Sequence, residues 1–423
     1  MHVNAHLDVD VVALEQDDTV HLLLELQSPP AEPSDAPREP QTIVVVLDRS
    51  GSMDGPRLFA AKSALLALVD RLDPADKLGV VAFDDKAQVV LPTRPMADHG
   101  KLPAKAAINA IRVGGMTDLS SGYLRALQEA RGAAGDTGAT IVLLSDGQAN
   151  EGITDPNALK SLAHQARDHR VTTSTIGIGL GYDEQVLAAL TEGGAGNHAF
   201  AEQPEAAASA LAAEVDGLLS KNVQAASLLI KAGPDIAQVA VLNDLPSQSV
   251  ADGILVELGD FYADEIRRLV LAFEVPGRPA LGLATIAELV FTYVELPGLV
   301  QHTVTLPIAV NVLPGDEAAG RVRSPEVEKE LLLLTVQKAK RDSEERLRSG
   351  DIAGAQMTLG VAASLLAAAP MASDADMVEE ASWLQDSMQL LSDRDAAYNI
   401  KRSTASRTPR ARGSRDSRRG GEI

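Results

Sequence analysis

From Thr42 onward the chain alternates near-continuous Val/Ile/Leu runs with helical stretches, and this alternation restricts its fold more than any other feature. The runs are TIVVVL, KLGVVAF, QVVL, ATIVLLS, VTTSTIGIG and NHAFA. Helical periodicity falls between them, near residues 57–72, 101–111, 120–133, 157–168, 183–190 and 204–219. A strand that is apolar at almost every position must be covered on both faces, and helices following each strand supply that cover. Residues 41–221 are therefore expected to form an α/β domain with a doubly wound, mainly parallel sheet.

The flanks read differently. Residues 1–30 alternate in strand fashion, in HVNAHLDVDVV and TVHLLLELQ, ahead of a Pro- and acid-rich linker, SPPAEPSDAPREPQ. Two strands alone make no stable domain. After Asn222 the helical period stops and short strands return between Gly and Pro residues: VQAASLLIKA, IAQVAVL, GILVEL, EIRRLVLAFEV, LATIAELVFTYVEL and VQHTVTLPIAVNVL. That spacing predicts a β-sandwich over residues 222–315. The two N-terminal strands are expected to complete it, which makes the α/β domain an insertion between strands of one sandwich. Residues 323–398 read as helical, with a hairpin turned at Ser349-Gly350-Asp351 and small residues where its helices would touch.

Composition limits the function classes. The 423 residues carry a net charge of −21, and the basic C-terminal segment 401–423 holds eight of the 38 Lys and Arg residues and two of the 59 acids, leaving −27 on residues 1–400. An acidic body with 3% aromatic residues disfavours specific nucleic-acid or anionic-lipid binding. The basic tail, rich in Ser, Arg, Gly and Pro, is expected to be disordered. No apolar run is long enough for a transmembrane segment, the N-terminus lacks a basic region followed by an apolar core, and there is no cysteine. These features fit a cytoplasmic protein.

One junction concentrates the chemistry. The strand TIVVVL runs into Asp48, followed by Ser50 and Ser52, and ATIVLLS runs into Asp146. In open parallel sheets ligands bind beyond the carboxyl ends of strands, where the winding reverses. Two carboxylates at the ends of neighbouring buried strands repel each other, and a divalent cation relieves the repulsion. GGMTDL adds Thr117 from a separate loop. A donor set made only of hard oxygen selects magnesium, manganese or calcium over zinc or copper.

Asp48-Arg49-Ser50-Gly51-Ser52, Thr117 and Asp146 resemble the metal-ion-dependent adhesion site of the von Willebrand factor A domain, and the resemblance covers residues 42–221. The phrases LLSDGQANEG and TIGIGLGYDEQVLAALTEGGAGNHAF resemble the branch of inter-alpha-trypsin inhibitor heavy chains, calcium-activated chloride channel-like proteins and related bacterial proteins. VELGDFYADEIRRLVLAFEVP is similar to the sandwich that accompanies the domain in that branch. The resemblance implies that Ser50, Ser52 and Thr117 coordinate a divalent cation directly, Mg2+ foremost with Mn2+ or Ca2+ as alternatives. Asp48 and Asp146 would act partly through water. Neutral hydroxyls leave such a cation under-neutralised, with one position open to a Glu or Asp carboxylate of a partner protein. The expected function is a metal-dependent protein–protein interaction module, an adaptor in a larger assembly and not an enzyme. An AAA+ ATPase of the chelatase-like type is a reasonable partner by the same resemblance.

The enzyme alternatives are weaker. There is no phosphate loop of the form G-x-x-x-x-G-K-[ST] and no H-E-x-x-H, and GIGLG has the wrong spacing for a dinucleotide turn. DRSGS lacks the first glycine of a nucleophile elbow. A magnesium-dependent hydrolase of the phosphatase type remains the alternative, because an open metal position also accepts phosphate.

Overall fold

The computed structural model describes residues 1–30, 38–296, 298–392 and 396–411. The middle of the Pro-rich linker and residues 412–423 lie outside them. The chain divides into two compact units, one consisting mainly of Ser34–Ser220 and the other of Met1–Pro33 with Lys221–Ser403.

Three strands open the chain: β1 (His2–Leu7), β2 (Val11–Ala13) and β3 (Asp18–Gln27). The α/β unit follows as β4 (Thr42–Asp48), α1 (Pro56–Arg71), β5 (Lys77–Phe83), β6 (Ala87–Pro95), α2 (Met96–His99), α3 (Lys101–Asn109), α4 (Leu119–Ala133), β7 (Ala139–Ser145), α5 (Pro156–Arg167), β8 (Val171–Ile178), α6 (Glu184–Gly194), β9 (Ala195–Ala201) and α7 (Pro204–Leu219). Strands return as β10 (Lys221–Ala232), β11 (Gln238–Val241), β12 (Ser247–Val250), β13 (Gly253–Tyr262), β14 (Ile266–Val275), β15 (Gly282–Glu295) and β16 (Val300–Leu313). Helices α8 (Gly315–Ala318), α9 (Pro325–Arg348), α10 (Ile352–Ala368), α11 (Ala375–Ser392) and α12 (Ala396–Ala411) close the described chain.

The α/β sheet has the order β6-β5-β4-β7-β8-β9, parallel throughout except for the edge strand β6. From β4 the chain winds outward to β5 and β6, then crosses to β7 and continues to β8 and β9. The winding therefore reverses between β4 and β7, the switch point where such sheets bind ligands. Every residue of β4 and β7 is buried, which is what two apolar-on-both-faces strands require. At the same end of the sheet Asp118, Asp155 and Asp183 cap α4, α5 and α6, their carboxylates accepting from backbone N–H groups of the first turns. Those acids serve the helices.

The second unit is a sandwich of a four-stranded sheet, β1-β3-β14-β11, and a six-stranded sheet, β12-β13-β10-β15-β16-β2. Leu22, Leu24 and Leu26 of β3 share one core with Leu228, Phe273 and Phe291. The N-terminal strands thus complete the sandwich, and the α/β unit is inserted between its strands.

Several local expectations are corrected. Residues 1–30 give three strands, not two, and they enter both sheets. The break falls at Asp8, whose Oδ1 accepts from the backbone N–H groups of Val9 and His21 and so ends the ladder between β1 and β3. Strand β12 went unforeseen because all four of its residues are exposed and show no apolar alternation. The C-terminal helices turn at residues 349–351 as expected, with Ala355, Leu359, Ala362 and Leu366 on the buried side of α10. The tail differs. The expected disorder of 401–423 does not hold up to Ala411, since α12 runs through this stretch with Lys401–Arg407 buried. Ser403 Oγ donates to Glu344 Oε1 at 2.7 Å, Arg407 Nε lies 3.3 Å from the same oxygen, and the Arg402 guanidinium sits over the Trp383 ring. Polar contacts to Glu344 of α9 help order the helix.

Among the described residues no helix is long and apolar enough to cross a membrane.

Candidate metal centre

Strand β4 carries Asp48 to the carboxyl end of the sheet, and a short 3-10 turn at Gly51–Met53 folds the chain back before α1. Just before that turn the Ser50 N–H donates to Asp48 Oδ1 at 2.8 Å. The neighbouring strand β7 delivers Ser145 and, one residue on, Asp146. Ser145 Oγ donates to Asp48 Oδ2 at 2.6 Å, and Ser52 Oγ donates to Asp146 Oδ1 at 2.8 Å. The Ser50 and Ser52 hydroxyls are 3.1 Å apart.

A third loop brings Thr117. It is stitched to the first by Gly51 N–H to Gly115 O at 3.0 Å and Gly114 N–H to Arg49 O at 2.7 Å. It is stitched to the loop after β7 by Thr117 N–H to Asn150 Oδ1 at 3.2 Å and Asn150 N–H to Thr117 O at 3.3 Å. A side chain at Gly114 would displace Asp84, because a Cβ would lie 1.8 Å from Asp84 Oδ2.

Gly147 locates the focus of the three loops. A Cβ built on it would stand 3.2 Å from Thr117 Oγ1, 3.3 Å from Ser52 Oγ and 3.6 Å from Asp48 Oδ2. Two side-chain oxygens of the β4 loop and one of the Thr117 loop therefore border a single point that a glycine of the third loop leaves open. All five residues singled out in the sequence come together at this end of the sheet. Four of them are almost fully shielded, with Asp48, Ser50 and Asp146 at 1% exposure or less and Thr117 at 5%.

Burial pushes the Asp48 carboxyl up to about 6, against the hydrogen bonds from Ser145 and Ser50 that favour its ionised form; the nearby charge of Asp146 adds to the rise. Asp146 has a counter-ion, since Arg57 Nη1 lies 2.6 Å from its Oδ2. The donor set is entirely oxygen and largely hydroxyl. Among the described residues no group of three or more His, Cys, Asp or Glu side chains is arranged to hold a metal. An oxygen cradle of this kind fits a hard divalent cation.

Sequence reasoning overlooked Ser145, Arg57, Gly147 and Asn150. Ser145 and Gly147 flank Asp146 directly in LLSDG, so their proximity was available from the sequence. Arg57 and Asn150 carried no signal beyond nearness, because their partners depend on how the loops fold back.

A sequence profile of the von Willebrand factor type A domain matches residues 42–214. The Synechocystis sp. protein sll0103 is 30% identical over 342 residues, covering 77% of this chain and 78% of that protein. The Arabidopsis thaliana E3 ubiquitin-protein ligase WAV3 is 27% identical over 346 residues, or 78% of this chain but 43% of the ligase. Human inter-alpha-trypsin inhibitor heavy chain H4 is 28% identical over 148 residues, which are 33% of this chain and 16% of that protein. The chain thus spans less than half of either of the latter two. Among solved structures, a von Willebrand factor type A protein from Catenulispora acidiphila superposes with a TM-score of 0.71 at 20% identity, covering 92% of this chain and 88% of its own. The ArnB paralog VWA2 from Sulfolobus acidocaldarius gives 0.65 at 15% identity over 97% and 98%. At those identities the likeness is one of fold, and it extends over both units. With the profile match and the Synechocystis relative matched over 78% of its length, this chain belongs to the von Willebrand factor type A domain family.

Proposed function

We propose that the chain is a metal-dependent docking module that binds a divalent cation, Mg2+ in the first place, and through it an acidic residue of a partner protein. The observation that carries this reading is the convergence of Thr117, Ser52 and Asp48 oxygens on the point above Gly147. Ser50, Ser52 and Thr117 hold the cation by their hydroxyl oxygens, and Asp48 and Asp146 balance its charge, partly through water. A cation so bound supplies an electrophilic position for a carboxylate oxygen.

The surroundings suit a protein. Met116, Ile153 and Leu180 are 51%, 36% and 47% exposed, and each lies on a loop that carries or borders the cluster. A groove of about 480 Å³ lined by Asp118, Leu124, Arg125 and Ile153 begins one residue beyond Thr117. Apolar side chains around a polar centre favour a macromolecular surface. The hydrolase alternative gains no support from them. An AAA+ ATPase of the chelatase-like type is the partner class the family resemblance suggests, and the cysteine-free sequence agrees with a reducing cytoplasm.

Co-purification from the native host tests the reading. A partner retained with Mg2+, released by EDTA and lost with Thr117→Ala is the expected result. A partner retained equally under all three conditions would contradict it.

A further inference from the structure

Arg57 stands in the first turn of α1 and reaches back across the cluster. Its Nη1 donates to Asp146 Oδ2 at 2.6 Å and to the Ser52 carbonyl at 3.0 Å. The other oxygen of Asp146 already accepts from Ser52 Oγ. Both oxygens of this acid are therefore engaged, and its charge is met by a cation of its own chain. The Arg57 side chain is 38% exposed, so it faces the solvent from which a partner arrives. The guanidinium also lies alongside the loop after β8, where a Cβ on Gly179 would be in ordinary contact with it at 3.6 Å from Nη2. The next acid along, Asp84, has its own partner in Arg49 at 3.1 Å and needs nothing from Arg57.

We infer that Arg57 tunes the centre toward an anionic ligand by weakening its hold on the cation. This rests on the docking function proposed above. With Asp48 and Asp146 ionised, a divalent cation alone would leave the loaded centre neutral. Arg57 makes it positive by one charge. That charge repels the incoming cation and attracts a carboxylate, whose second oxygen the guanidinium fork is shaped to receive. Arg57 is thus a specificity-determining residue: it makes the carboxylate of the partner the group that completes neutralisation.

The test is calorimetric titration of Mn2+ into the full chain at pH 8, comparing wild type with Arg57→Gln, Arg57→Met and Arg57→Lys. Removing the charge should tighten Mn2+ binding by about tenfold, while Arg57→Lys should stay within about twofold of wild type. Acetate, the simplest carboxylate, provides the second arm. It should raise the Mn2+ affinity of the wild type and of Arg57→Lys, and do so less in the two uncharged variants, because the two ligands are linked. Two uncharged variants guard against one that fails to fold. Uncharged variants that bind Mn2+ no more tightly than wild type would overturn the inference, as would an Arg57→Lys variant that tightens like them. A wild type that takes up no Mn2+ would instead remove the docking reading on which it rests.

Discussion

Glu344 and Glu380 in the helical region and Asp48 and Asp146 in the α/β sheet are all shielded from water, yet they are met by different groups. Glu380 lies 2.8 Å from Lys340, both side chains being at most 2% exposed, and Glu344 is met by Ser403 and Arg407. Asp48 is met by a serine hydroxyl and a backbone N–H, with Arg57 as the counter-ion of Asp146 alone. Acids that are neutralised internally tie helices together. Acids surrounded by hydroxyls, with an open point among them, leave their charge to be matched from outside. The same residue type is structural in one place and a binding element in the other because of what the fold places beside it.

The largest effect should come from breaking the internal pair. Lys340→Met removes the ammonium 2.8 Å from buried Glu380 and should lower stability by about 3–5 kcal/mol in urea denaturation, with Mn2+ affinity unchanged. A parallel loss of metal binding would show that the two regions are not independent in function.

Asp48→Asn should do the reverse. Metal affinity is expected to fall by about 100-fold, while the metal-free protein at pH 8 keeps or gains stability. The gain follows from the raised Asp48 value of about 6 against an ordinary 3.8. Between those values the unfolded chain ionises first, so stability falls as pH rises through the window, by up to about 3 kcal/mol. Asparagine removes that loss. A marked destabilisation of the metal-free variant would mean that Asp48 is a structural acid like Glu380.

Truncation after residue 395 removes α12 and the contacts of Ser403 and Arg407 with Glu344. It should cost about 2 kcal/mol in the helical region, seen as an earlier unfolding transition, and leave metal affinity alone. Truncation after residue 411 should keep those contacts and change neither. The smallest effect is graded with pH: below about pH 6 protons compete at Asp48, and Mn2+ affinity should weaken about tenfold per unit, flattening above it. A pH-independent affinity from 5 to 8 would place the cation away from Asp48.

The legible parts of the fold were those with a strong period. Strands β4, β5 and β7 announce themselves because every or nearly every residue is apolar, and Asp48 and Asp146 stand out because they end such runs. The hairpin of α9 and α10 was equally clear from its Ser-Gly-Asp turn. What escaped lacked a one-dimensional signal. Strand β12 is wholly exposed, and the Asp8 backbone contacts that separate β1 from β2 involve a residue 13 positions away. Helix α12 was misread because its polar side chains meet an acid about 60 residues earlier, Ser403 and Arg407 both contacting Glu344, and composition alone carries no information about such partners. At the centre, Thr117 was singled out as an oxygen donor in GGMTDL and matched a known motif, whereas Arg57, which touches two of the other residues there, belonged to no motif considered.

The most direct measurement is anomalous diffraction from crystals of the full chain soaked in Mn2+. One strong peak is expected beyond the carboxyl ends of β4 and β7, bonded to the hydroxyl oxygens of Ser50, Ser52 and Thr117, with Asp48 and Asp146 alongside. A peak elsewhere, or none at this position at saturating Mn2+, would contradict this assignment.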